Sequence, residues 1–200
     1  MRCPQSCALA LSAFLVGQIV QGAEPPADLV VLNGKIVTVN PHSSIVEAAA
    51  VREGRFVAVG ANSKVKKLVG DRTRVIDAHG KTVVPGLIET HMHGIDPNKS
   101  LNPFNPFLAM YVAVTRRTES GRVIGLEQRV SREQALRMAT IDAAYLSFDE
   151  KRKGSIEVGK LGDLVLLSDD LLTCDAERIK DIQPLATVVG GKVVHDALSR

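Results

Sequence analysis

Aromatic side chains are scarce in this 200-residue sequence: no Trp, two Tyr and five Phe, 4% in all. Proteins that read nucleic acid concentrate Lys and Arg on one face and interleave aromatics for base stacking. Here 25 basic residues stand against 22 acidic ones, for a net charge of +3. The basic residues are scattered, apart from Arg116-Arg117 and Lys151-Arg152-Lys153. Both short runs read as solvated surface, and a nucleic-acid partner is excluded. Cysteine is limited to Cys3, Cys7 and Cys174. With the first two in an N-terminal leader, Cys174 alone remains and no internal disulfide can form. Nothing around Cys174 marks it as a nucleophile. Internal repeats are absent.

One apolar run stands out, Ala8 to Val20, broken by Ser12, Gly17 and Gln18. Arg2 precedes it, and small Gly22 and Ala23 follow, ahead of Glu24-Pro25-Pro26. This is the order of a secretory leader, and the run is short for a membrane span. Residues 1–23 are therefore expected to be a signal peptide and the mature protein to be secreted or periplasmic, with no membrane contact after cleavage. An uncleaved N-terminal anchor is the other reading. At 45% hydrophobic and 24% charged, the remainder is long enough for one domain with a real core.

Short β-rich segments dominate the first half. Leu29–Leu32 and Ile36–Val39 flank Asn33-Gly34, which predicts a hairpin. Ala48–Val51 and Phe56–Val59 predict a second around Glu53-Gly54, and Thr73–Asp77 with Lys81–Val84 a third around Ala78-His79-Gly80. Residues 62–69 read as a short helix capped by Asn62 or Ser63 and stopped by Gly70. The Pro- and Asn-rich stretch Asp96–Asn105 reads as a loop, and 107–116 as a helix. A second helix over 131–148 opens on the capping box Ser131-x-x-Gln134. Gly154–Lys160 and Asp163–Leu167 return to a β pattern, and 187–194 reads as a last hairpin across Gly190-Gly191. His42, His79 and His195 sit in surface contexts.

The stretch Val83-Val84-Pro85-Gly86-Leu87-Ile88-Glu89-Thr90-His91-Met92-His93-Gly94 organises the chain. On an extended strand, residues i and i+2 point to one side, so His91 and His93 can address one point. Neutral imidazole is a common metal ligand, and two make half of a divalent-metal site. Two readings stand on these residues alone, a metal-binding pair or a chance pair on an exposed strand end.

Three blocks resemble the amidohydrolase superfamily, in its amidohydrolase 3 branch: Asp28 to His93; Asn102-Pro103-Phe104 through Thr118 and on to Ser131–Leu136; and Gly154-Ser155-Ile156-Glu157-Val158-Gly159-Lys160-Leu161-Gly162-Asp163-Leu164-Val165 to the end. The resemblance implies an α+β, mainly β, fold: a small β-sandwich made from both chain ends, 24–86 and 153–200. Residues 87–152 would be a truncated remnant of a (β/α)₈ metal-dependent hydrolase barrel, one strand plus helices. A complete barrel takes about 250 residues, so the middle of the barrel is missing and the chain looks internally deleted. The strands of 28–84 and 155–195 should share one sandwich, with the helices packed on it.

The resemblance also implies a divalent metal, with zinc as the first choice, held by His91 and His93. Asp96, in Gly94-Ile95-Asp96-Pro97 ahead of Asn102-Pro103, would be the catalytic aspartate; a loop aspartate at a deletion junction is the other reading. The implied activity is hydrolysis of carbon–nitrogen bonds other than peptide bonds in a small-molecule substrate, through metal-activated water. The alternative is a catalytically inactive scaffold with at most weak metal binding, whose uncovered apolar surface would favour self-association.

Overall fold

The computed structural model describes residues 24–89, 105–118 and 121–198. The expected leader, His91, His93 and Asp96 lie outside the described residues.

Ten strands among the described residues form two sheets. β1 (Leu29–Leu32), β4 (Ala48–Arg52), β5 (Arg55–Gly60) and β6 (Arg74–Asp77) make a four-stranded sheet in the order β5-β4-β1-β6. β2 (Lys35–Val37), β3 (Ile45–Val46), β7 (Thr82–Pro85), β8 (Leu164–Leu167), β9 (Pro184–Val189) and β10 (Lys192–Asp196) make the other, in the order β10-β9-β8-β7-β2-β3. The two ends of the chain meet where β7 pairs antiparallel with β8, Val84 opposite Val165.

Side-chain alternation along the strands explains the layering. Leu29 and Val31 of β1, Ile36 of β2, Val83 of β7, and Leu164 and Leu166 of β8 enter one buried cluster between the sheets, with Phe56 among them. Their neighbours Val30 and Leu32 face the other way, onto Val65 and Leu68. These two belong to α1 (Asn62–Val65) and the single 3₁₀ turn after it. Val37, Val84, Val165 and Leu167 face away from the first cluster, onto Phe107, Leu108, Met110 and Tyr111 of α2 (Pro106–Thr115) and Ala135 and Leu136 of α3 (Arg132–Met138). Both sheets are thus covered on both faces, which is why β1 and β8 read as unbroken apolar runs.

Several sequence expectations need correction. Residues 28–40 are no hairpin: β1 pairs with β4 and β6, and β2 with β3 and β7. Asn33, at φ 53, turns the chain from one sheet into the other. The expected pair around His79 is a second such arch, nested on the first through Ala78 N–H to Leu32 O (2.9 Å) and Gly80 N–H to Asn33 O (2.7 Å). Strands apolar on both faces need partners in two directions, and crossing between sheets supplies them where a local hairpin would not.

Helix α1 is capped at Ala61, not Asn62, whose side chain instead accepts the Asn33 N–H at 2.9 Å. Gly154–Lys160 forms no strand, and Leu87–Glu89 forms none either; Gly154 and Gly159 take φ of +88 and +92. The expected helix over 131–148 is two, α3 and α4 (Ile141–Leu146). They part at Thr140, which is fully buried and whose hydroxyl donates to Leu136 O at 2.7 Å. No helix among the described residues is long and apolar enough to cross a membrane.

Candidate functional site

The sheet delivers Leu87–Glu89 into the helical layer. β7 ends at Pro85, and Gly86 donates its N–H to Asp163 O at 3.0 Å. A side chain at Gly86 would come within 2.9 Å of Asp163 Cβ, so this close backbone approach requires glycine. The chain then leaves the sheet. Ile88 donates its N–H to Ala139 O at 2.9 Å, just before Thr140 breaks the helix pair. Leu87 packs into the apolar layer beneath α2 and α3.

On the far side, Asn105 caps α2, its side chain accepting from Phe107 N (3.0 Å) and Leu108 N (3.2 Å), with Pro106 at the first helical position. That arrangement satisfies helix-end donors where they have no backbone partner. Asn105 therefore closes the expected loop by starting a helix. Between these elements lies a groove of about 420 Å³, walled by Leu87, Ile88, Met110 and Met138, with Glu89 at its edge. Glu89 is exposed and stands two residues before His91.

The remaining candidates are peripheral. His42, His79 and His195 are exposed, as expected, and the His195 Nε2 lies 3.2 Å from Pro184 O. Among the described residues no three His, Cys, Asp or Glu side chains are grouped to hold a metal. Cys174 is partly buried, and burial pushes its thiol above the ordinary range, so it is a poor thiolate. The Arg132 guanidinium lies 3.8 Å from its Sγ and donates to Leu171 O at 3.1 Å.

The third sequence block is a seam. Lys160 Nζ donates to Ser155 Oγ at 2.6 Å, and the Ser155 hydroxyl donates to Glu157 at 2.5 Å. Lys160 also pairs with Glu157 at 3.1 Å. Burial by itself raises the Glu157 carboxyl, but the hydrogen bonds from Ser155 and Lys160 outweigh it and hold it below its ordinary value. Phe56 N–H to Lys160 O (2.9 Å) and Gly159 N–H to Phe56 O (2.8 Å) tie this segment along the open edge of β5. Gly162 fits where any Cβ would meet Val51 Cγ1 at 2.7 Å. Sequence reasoning missed the groove and this seam. The glycine spacing of the block was the available signal.

Residues 94–195 match the family model described as the amidohydrolase family. The sequence is 35% identical over 93 residues to an N-substituted formamide deformylase of Arthrobacter pascens, covering 46% of this chain and 17% of that enzyme. It is 30% identical over 148 residues to an allantoinase of Escherichia coli, covering 72% of this chain and 29% of that protein. The chain thus spans less than a third of these curated relatives. Among solved structures, a zinc-bound adenosine deaminase from Xanthomonas campestris aligns with a TM-score of 0.58 at 12% identity, over 86% of this chain and 94% of that one. At that identity the likeness is one of fold.

Proposed function

Because this chain belongs to the amidohydrolase family, we propose that it is a metal-dependent hydrolase of carbon–nitrogen bonds other than peptide bonds, acting on a small molecule. The family match over residues 94–195 carries the reading. The names of two relatives, a deformylase of N-substituted formamides and an allantoinase, support a carbon–nitrogen target. In this reading the two-sheet body of 24–86 and 153–200 is the composite β-sandwich, and 87–152 is a shortened barrel remnant. The leader would send the protein to the periplasm or outside the cell; N-terminal sequencing of exported protein, expected to begin at Glu24, checks that.

A divalent ion fits the donor set His91, His93 and Asp96, because two imidazoles and a carboxylate suit zinc. The zinc-bound neighbour supports that choice. When bound, the ion supplies the Lewis acidity that activates water. His91 and His93 would hold it. Asp96 would take the proton from the attacking water and return it to the leaving nitrogen. The groove of Leu87, Met110 and Met138 would hold an apolar part of the substrate and keep water from it.

One observation favours a second reading, an inactive scaffold with weak metal binding. Every named strand among the described residues belongs to one of the two sheets, whereas a barrel needs eight parallel strands of its own. Metal analysis of the purified chain beside His91→Ala and His93→Ala variants, paired with release of formate from N-substituted formamides, separates the two. Bound zinc and turnover, both lost in the variants, uphold the hydrolase. Zinc without turnover upholds the scaffold, and a metal-free chain removes the role assigned to the histidine pair.

A further inference from the structure

We propose that the polar pocket at the start of β7 binds a small zwitterion, a free α-amino acid. The pocket, about 260 Å³, opens between the arch at His79 and the end of β8. It lies at the other end of β7 from Gly86, so the inference depends on neither the histidine pair nor the hydrolase reading. Parallel pairing of β2 with β7 sets Lys35 opposite Thr82, and the Lys35 ammonium reaches Asp170 at 2.5 Å. The arch is fastened by Lys81 N–H to Ala78 O (2.8 Å) and by Lys35 N–H to Lys81 O (3.0 Å). Both walls are therefore held by the fold itself.

Three polar groups line this space with bonding capacity to spare. Thr82 is 2% exposed, yet its hydroxyl takes no partner among the described residues and opens on the pocket. A buried hydroxyl without a partner destabilises a fold. Asp169 Oδ2 is buried and accepts no hydrogen bond. The Arg178 guanidinium comes within 2.8 Å of it, but off the N–H direction and from a side chain that is 69% exposed. Lys81 is exposed and has no acidic partner among the described residues. The neighbouring groups are engaged. Asp170 accepts from Lys35, from Thr173 Oγ1 (2.7 Å) and from Leu172 N (3.0 Å). Ser168 Oγ accepts from Gln183 N (2.9 Å), which leaves only its proton to donate. His79 leans on Asp77, with Nδ1 3.4 Å from Oδ1.

The charge is thus divided, a cation on the arch wall and an open carboxylate oxygen on the β8 wall. A simple anion would meet Asp169 and Asp170, and a simple cation would meet Lys81. His79, Asp169 and Asp170 do not come together as metal ligands. A molecule that carries both charges satisfies the pocket: its ammonium donates to Asp169 Oδ2, and its carboxylate accepts from Lys81 and from the Thr82 hydroxyl. The volume is that of about eight waters at roughly 30 Å³ each, room for a small amino acid.

Titration of the isotope-labelled chain with L-alanine, followed by its backbone amide resonances, tests this. Saturable shifts should centre on Lys81, Thr82, Ser168 and Asp169, with a dissociation constant of about 1 mM or tighter. N-acetyl-L-alanine lacks the ammonium and L-alaninamide lacks the carboxylate, so each should bind at least about 10-fold more weakly. Asp169→Asn keeps the oxygen that accepts Asp170 N–H at 2.8 Å; it should weaken alanine at least about 10-fold. Thr82→Val keeps the shape and removes only the hydroxyl, so it should weaken alanine about 5-fold. Its melting temperature without amino acid should equal or exceed that of the wild type, because no bond within the fold is lost. A drop of more than about 3 °C would mean that the hydroxyl is engaged inside the fold, and would overturn the proposal. So would the lack of any saturable shift up to about 50 mM alanine, equal binding of the two analogues, or undiminished binding by Asp169→Asn. Shifts confined to Leu87–Glu89 and α2 would put the amino acid in the apolar groove, and would overturn it as well.

Discussion

The two-sheet body and the helical layer on its outer face are made from the same chain and packed by different means. In the body, the strands interlock across sequence distance: β7 on β8, β1 beside β6, and the 154–162 seam along β5. Its interior holds Leu29, Ile36, Phe56, Leu164 and Leu166, each at most 2% exposed. In the layer, α2 buries Phe107, Leu108, Met110 and Tyr111, but α3 buries only Ala135 and Leu136, and α4 only Ala143 and Ala144. Met138, Tyr145, Leu146 and Phe148 stay exposed. The body is closed on itself, while the layer keeps apolar surface open, Met138 of it at the groove.

That contrast can be broken by mutation. Phe56→Ala in the body should cost about 3–5 kcal/mol, because a large ring leaves a cavity between two rigid sheets. Leu136→Ala in the layer should cost about 2–3 kcal/mol, since less of its surroundings is fixed. Denaturant midpoints at unchanged slope read both; equal losses would mean that the two regions form one core. Next in size, Ser131→Ala removes a capping box in which Ser131 Oγ accepts from Gln134 N (3.1 Å) and Gln134 Oε1 accepts from Ser131 N (2.8 Å). It should cost about 1 kcal/mol, and hydrogen exchange should show the loss in α3 while β1 and β8 stay protected.

Glu157 gives the body a pH signature. Its folded carboxyl sits below the ordinary value, so the unfolded chain binds the proton more readily and stability rises with pH through this range. The contribution is complete above the unfolded value of about 4.3 and fades as pH falls through the lowered one. Because the pair is about one-third exposed on the Glu157 side, the effect should not exceed about 1 kcal/mol. Melting of Glu157→Gln should fall below wild type at pH 6 and converge with it near pH 3. The smallest effect belongs to Arg74, whose 2.6 Å pair with Asp196 joins β6 to β10 but is half exposed. Arg74→Ala should shift stability by no more than about 0.5 kcal/mol, measurable as a change in melting temperature of a degree or two.

Local signals were legible where the physics is local. The β4–β5 and β9–β10 hairpins, the α2 segment and the Ser131 capping box all follow from turn residues, apolar runs and cap chemistry. The nested arches at Asn33 and His79 were not, because Asn-Gly and His-Gly permit a turn without saying which strand lies beside the next. The break at Thr140 was hidden for a similar reason: the apolar spacing of Ala135, Ala139 and Ala143 continues through it, and only the buried hydroxyl on Leu136 O marks the change. Of the candidate site, the sequence offered the histidine pair and Asp96 as expectations, and the fold supplied the groove and the exit from β7 at Gly86.

By itself the sequence determined the family and most of the short strands, since these rest on residue types at fixed spacings. The tertiary structure alone decided which strands share a sheet, that the Gly154–Asp163 block is a seam, and that Phe148 points to water. Those depend on contacts between residues tens to more than a hundred positions apart, where loop closure and packing choose among partners that local preference leaves equal.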